Sequence, residues 1–178
     1  MSKRDEIITG AMKTFEQHGF RGIGVDAVLL PSGASTRTLY KHFGSRDGLV
    51  LAVVQQRHHA FMERLHADPE SGVPGLFEAL AVWLAEFGAR GCMLLRAHGE
   101  YAGDSAEIAE AVSGQKAEFL GEISRRVELE LGRQDETLSL QIWLLFEGAT
   151  AAASVVGMDV VQAAGKAAEA LLADARRK

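Results

Sequence analysis

The stretch SGASTRTLYKHFGSRDGL, residues 32–49, decides how this chain folds. Ser35 and Ser45 are both N-cap candidates, because a serine hydroxyl accepts from the free N–H groups of a helix's first turn. Residues 36–42 therefore read as one short helix. From Arg46 a second helix runs into the His58–His66 region, with Asp47 favourable near its positive end. On a wheel at about 100° per residue, Leu39 and Phe43 fall together and define a buried side. Arg37, Thr38 and Lys41 fall on the far side, Tyr40 and His42 on the two flanks, and Thr36 at the N-terminus. A helix that enters the major groove needs this layout: donors toward base edges, and flanks that reach phosphates on either wall. With the helix before it and a Gly-containing turn, it makes a helix-turn-helix. A solvated helix face is polar for no further reason, so the pattern alone leaves both readings open.

Working outward, residues 3–18 carry Ile7, Ala11 and Phe15 at helical spacing, with Ile8 and Met12 beside them. Gly19 supplies a residue that can take positive φ at the helix end, and Phe20 lies where such an ending folds an apolar side chain back onto Phe15. A further helix spans Val25 to about Leu30, with Gly33 after it.

These residues resemble a known family. IITGAMKTFEQHGF…VDAV…GASTRTLYKHFGSRDGLVLAVV, from about Ile7 to Val54, is similar to the N-terminal domain of TetR-family transcriptional regulators. The resemblance implies a dimeric, all-helical, ligand-responsive DNA-binding protein, usually a repressor. It also implies that Thr36, Arg37, Thr38, Tyr40, Lys41 and His42 face DNA, with Arg46 near a phosphate. The chain departs from the family pattern in helix 2. Gly24 stands where a capping hydroxyl is usual, and Leu29 and Leu30 where small residues are usual. Pro31 follows, where a helix would still be running. Proline in a helix interior costs about 3 kcal/mol, so helix 2 is predicted to be short or distorted at its end.

At 178 residues, 47% hydrophobic and 24% charged, the chain has the composition of a soluble globular protein of one or two small domains. Three prolines and few alternating stretches favour an all-α fold of about nine helices. The lone Cys92 excludes an internal disulfide framework and points to a reducing compartment, so a cytoplasmic location is expected. MSKRDEIITG is charged and has no apolar core of a signal peptide. Glu86 and Glu147 interrupt the longest apolar stretches, so no membrane span is expected. Net charge is −5, but residues 1–47 carry a net +2 and the remainder a net −7. The mildly basic part coincides with the helix-turn-helix.

The expected domains are a helix-turn-helix DNA-binding domain, 1–47, and a ligand-binding and dimerisation domain, 48–178. ADPESGVPG, residues 67–75, is the clearest loop. Helices are predicted over 75–89, 92–102, 105–131, 136–156 and 159–176, punctuated by Gly91, Gly103, Gly132 and Gly157. Along LSLQIWLLFEGATAAASVV, residues 138–156, one side carries Leu138, Ile142, Leu145, Ala149, Ala152 and Val156. With 160–172, similarly small and apolar, this helix can pack against a two-fold copy, although small residues also let helices pack closely within one chain. A homodimer would place two recognition helices about 34–36 Å apart on a palindromic double-stranded operator.

A pocket for a small-molecule inducer is expected among the aromatics and the segment RGCMLLRAHGEY, with Phe61, Trp83, Phe87, Cys92, Arg96, Tyr101, Phe119 and Trp143 as its candidate lining. The sequence does not separate an anionic from a neutral ligand. No metal site is expected: His58 and His59 diverge on a helix, as do Cys92 and His98. No cofactor is expected, and GxSxG, a phosphate-binding glycine loop and HExxH are absent from the sequence, so an enzyme is not expected. Two alternatives stay open: a helix-turn-helix protein that has lost operator binding and acts through protein contacts, and a helical enzyme of another kind.

Overall fold

A computed structural model describes residues 1–177. It contains nine α-helices and no strand among those residues: α1 (Lys3–His18), α2 (Val25–Leu29), α3 (Thr36–Phe43), α4 (Arg46–His66), α5 (Gly72–Phe87), α6 (Met93–Tyr101), α7 (Ala106–Leu131), α8 (Glu136–Val156) and α9 (Asp159–Ala175). They form two compact units. Met1–His59 and Met93–Gln115 make the first; Ala60–Cys92 and the chain from Lys116 on make the second.

In the first unit, α1 starts on a capping box. The Ser2 hydroxyl accepts from Asp5 N, and the Asp5 carboxylate accepts from Ser2 N at 3.0 Å. These bonds from Ser2 hold the Asp5 carboxyl below its ordinary range. At the other end Gly19, at φ 76°, donates to Phe15 O, and the chain folds Phe20 back so that its ring centroid lies 4.8 Å from that of Phe15. Ile7, Ala11, Phe15, Phe20, Leu39, Leu49 and Val53 are fully buried and make the core.

Helix α2 is only five residues long and passes into a 3-10 turn, Leu30–Ser32, as the proline implies. That turn rests on α1. A methyl placed on Gly10 would come within 3.2 Å of Pro31 Cβ, so the bare backbone of Gly10 is what lets the turn approach. The Lys3 ammonium donates to Ser32 O at 2.8 Å and ties the same turn.

The second unit is an aromatic and aliphatic core under α5, α8 and α9, which pack on one another. Arg126 of α7 is 0% exposed, and its guanidinium organises the loop before α5. It donates to Glu122 at 2.7 Å, Ser71 Oγ at 2.9 Å, Gly72 O at 2.8 Å and Leu65 O at 2.8 Å. Burial pushes the Glu122 carboxyl up, but Arg125 and Arg126 outweigh it and hold the group below its ordinary range. A second carboxylate, Glu130, accepts from Val73 N at 2.6 Å. This cap starts α5 at Gly72, three residues earlier than the sequence suggests, and absorbs the end of the expected loop.

By length and composition α8 is apolar enough to cross a membrane, contrary to the expectation that Glu147 breaks the stretch. Glu147 is instead absorbed as a buried ion pair with Lys116, and α8 packs on α9 and α5.

Candidate nucleic-acid interface

Helix α3 is set from both ends. The Ser35 side chain accepts from Thr38 N at 3.2 Å and lies 2.9 Å from Thr38 Oγ1. Ser45 caps the next helix, accepting from Gly48 N at 2.9 Å. A methyl placed on Gly48 would sit 2.0 Å from Phe43 O. The corner between α3 and α4 therefore admits only glycine there, whatever its φ, and this fixes the angle at which α3 is presented.

Only Leu39 of α3 is buried. Phe43 is half-buried, with the Arg4 guanidinium 5.4 Å from its ring centroid. Arg37, Lys41 and His42 are exposed, and Tyr40 is 54% exposed despite its ring. Thr38 is half-buried beside its cap. Thr36 is exposed, its hydroxyl 3.4 Å from Asp26 of α2, a partner the sequence did not suggest. The structure thus brings Thr36, Arg37, Tyr40, Lys41 and His42 to one outward surface of α3. Arg37, Tyr40, Lys41 and His42 make no ion pair among the described residues, an arrangement suited to base edges and phosphates.

Arg46, which the resemblance puts near a phosphate, also has a partner within the chain. Its guanidinium donates to Phe20 O and lies 5.9 Å from the Phe15 ring. It is half-buried and ties α4 to the turn that follows α1.

The same chain corner is held from α6. The Glu100 carboxylate accepts from Phe20 N at 3.0 Å and Arg21 N at 2.8 Å. The Arg21 guanidinium pairs with Asp104 at 2.5 Å and lies 4.5 Å from the Tyr101 ring centroid. Arg96 donates to Glu16 O at 3.3 Å. Sequence reasoning missed Glu100, which stands 80 residues from Phe20 and 79 from Arg21 with no periodic signal to mark it.

Of the pocket candidates, the second unit brings Phe61 together with Trp83 and Phe119, at ring-centroid distances of 5.1 and 5.9 Å, and Trp83 with Phe87 at 4.4 Å. Phe146 joins them, 4.6 Å from Phe119. Trp143 packs against this core, half-buried. Tyr101 is not among them: it packs edge-on to Phe20 in the first unit, as Arg96 also belongs there. Cys92 lies beside the Lys116 ammonium. Burial pushes Lys116 down, but Cys92 and Glu147 outweigh it and raise the group.

The stripe read for dimerisation divides. Leu138, Ile142 and Ala149 lie in the unit's own core, and Leu145 and Ala152 are half-buried. Val156 is exposed. The apolar residues that α8 shows to the outside are Leu140, Leu144, Val155 and Val156. The helix is apolar on most of its circumference, so the wheel cannot tell its inner face from its outer one.

Comparison with known proteins reaches the same N-terminal segment. Residues 7–53 match the model of bacterial regulatory proteins of the tetR family. The repressor ComR of Escherichia coli is 27% identical over 122 residues, 64% of this chain and 58% of its own length. The repressor AcnR of Corynebacterium glutamicum is 33% identical over 55 residues, 31% of this chain and 29% of its own. The chain thus matches little more than half the length of the first of these relatives and under a third of the second. In fold it resembles SCO4454, a TetR-family regulator from Streptomyces coelicolor, with a TM-score of 0.86, 23% identity and coverage of 98% and 96% of the two chains. A TetR regulator from Haloarcula marismortui has a TM-score of 0.81 at 16% identity, covering 97% of each chain. Residues 7–53 thus match the helix-turn-helix segment of the tetR family of bacterial regulatory proteins, and the whole chain shares the fold of the TetR regulators compared with it.

Proposed function

We propose that the protein is a cytoplasmic transcriptional repressor that binds a palindromic operator as a homodimer and leaves it when a small molecule enters the C-terminal unit. The observation that carries this reading is the outward face of α3. A helix that buries one residue and exposes Arg37, Tyr40, Lys41 and His42 is built for a polar, anionic partner. Two such helices, carried by a two-fold dimer, reach successive major grooves about 34–36 Å apart. The exposed Leu140, Leu144, Val155 and Val156 of α8 support a dimer through α8 and α9. ComR and AcnR, both named repressors, support the sign of regulation. The inducer acts because it binds one separation of the recognition helices better than the other.

The test is binding to the palindrome upstream of the protein's own gene, across a salt series, for wild type and Tyr40→Ala. The expected result is tight binding that weakens steeply with salt, and is lost in large part in the variant. Binding of wild type no tighter than to random duplex would sink the operator reading and favour a helix-turn-helix that acts through protein contacts.

A further inference from the structure

Buried polar atoms of the second unit are for the most part bonded, Arg126 above all. Two are not. Glu147 Oε2 and Trp143 Nε1 are both shielded from solvent and have no hydrogen-bond partner. Buried groups of this kind cost stability unless a partner is supplied, so each one asks for an explanation. They stand four residues apart on α8, hence one above the other on the same side of the helix. One atom accepts and the other donates.

Their surroundings narrow what such a partner can be. Glu147 is 9% exposed, and its other oxygen takes the Lys116 ammonium at 2.5 Å. The two charges cancel. An anion at this place would lie against the bare Glu147 oxygen, and a cation would stand close to Lys116; both are penalised in a poorly solvated site. A neutral group with an N–H beside a C=O meets both unsatisfied atoms at no charge cost. The Lys116 ammonium is also 5.9 Å from the Phe119 ring centroid, and Phe119 packs on Phe61 and Phe146. These packed rings make the surroundings of the two atoms apolar and aromatic, which suits an aromatic body.

Resting on the reading that the C-terminal unit receives the inducer, we propose that the Trp143–Glu147 side of α8 binds an uncharged aromatic molecule bearing a primary amide or an equivalent donor–acceptor pair. The amide N–H donates to Glu147 Oε2, and its carbonyl accepts from Trp143 Nε1. This chooses the neutral class over the anionic one that the sequence left open.

The experiment is calorimetric titration of the full-length protein with three probes of one shape: 2-naphthamide, 2-naphthoate and 2-naphthamidine, neutral, anionic and cationic in turn. The amide is expected to bind at least about tenfold more tightly than either charged probe. Trp143→Phe, which keeps an aromatic ring and removes the donor, weakens the amide by about tenfold. Glu147→Gln, checked for folding by its thermal transition, reduces the preference for amide over naphthoate to a few-fold. Equal or tighter binding of naphthoate overturns the proposal. So does an unchanged amide affinity in a folded Trp143→Phe, or the failure of all three probes to bind. Operator binding is measured without any probe, so a protein that binds its palindrome but rejects the amide breaks this inference alone, and one that never binds DNA breaks the regulator reading alone.

Discussion

Helix α3 buries one of its eight residues, Leu39, and turns cations, hydroxyls and a tyrosine outward, whereas α8 buries eight of twenty-one and still leaves leucine and valine on its outside. What remains exposed on each helix after the core is satisfied describes the partner it is made for. A polar, basic remainder suits the phosphates and base edges of DNA. An apolar remainder suits another apolar surface, here the second copy of the same helix pair that the proposed dimer supplies. The difference also runs inside the helices. Helix α3 excludes charge from its buried side, while α8 carries the buried carboxylate Glu147 and must neutralise it with Lys116.

The comparison breaks most severely at Leu39. Leu39→Ala removes the one buried anchor of α3 and should cost about 2–5 kcal/mol, read by urea denaturation. Tyr40→Ala, next to it, should change stability by no more than about 0.5 kcal/mol while operator affinity falls. Equal stability losses at the two positions would mean that Tyr40 is a packing residue and that α3 has no outward face.

A smaller effect is expected on α8. Leu144→Glu places a charge on the exposed apolar side and should raise the dimer dissociation constant about thirtyfold, seen by sedimentation equilibrium, with each chain still helical. A dimer indifferent to Leu144→Glu would move the interface off this face.

The smallest effect separates the two kinds of partner. Lys41→Ala should lower the slope of log affinity for operator against log salt by about one, through loss of one phosphate contact. Dimerisation through α8 should show no comparable loss of affinity with salt. A dimer that dissociates as steeply as the operator complex would point to charged rather than apolar contacts.

The two helices were unequally legible for a reason visible in their side chains. On α3 polar and apolar residues alternate sharply around the helix, so a wheel finds both faces, and the caps at Ser35 and Ser45 mark its limits. The Gly19–Phe20 ending and the shortened α2 are local features and were likewise readable. Around α8 the contrast is missing, and Leu138, Ile142 and Ala149, read as an outer stripe, belong to the core. Partnerships between distant segments left no trace in the sequence: Glu130 starting α5 from 57 residues away, Lys116 finding Glu147, Arg46 reaching Phe20 O. Charge type was readable at each of these positions; the direction in which the charge points was not.

The grip of Glu100 on the corner after α1 has a consequence for how this protein tolerates change. Its carboxylate holds the backbone N–H groups of Phe20 and Arg21, which every residue except proline possesses. Position 21 can therefore drift through many side chains without loosening the joint, losing at most the pairing of Arg21 with Asp104 and its contact with Tyr101. Position 100 has no such latitude. The attachment is carried by one replaceable side chain on α6 and by main chain on the other side, so variation between relatives at this joint should accumulate unevenly, on the side that the backbone protects.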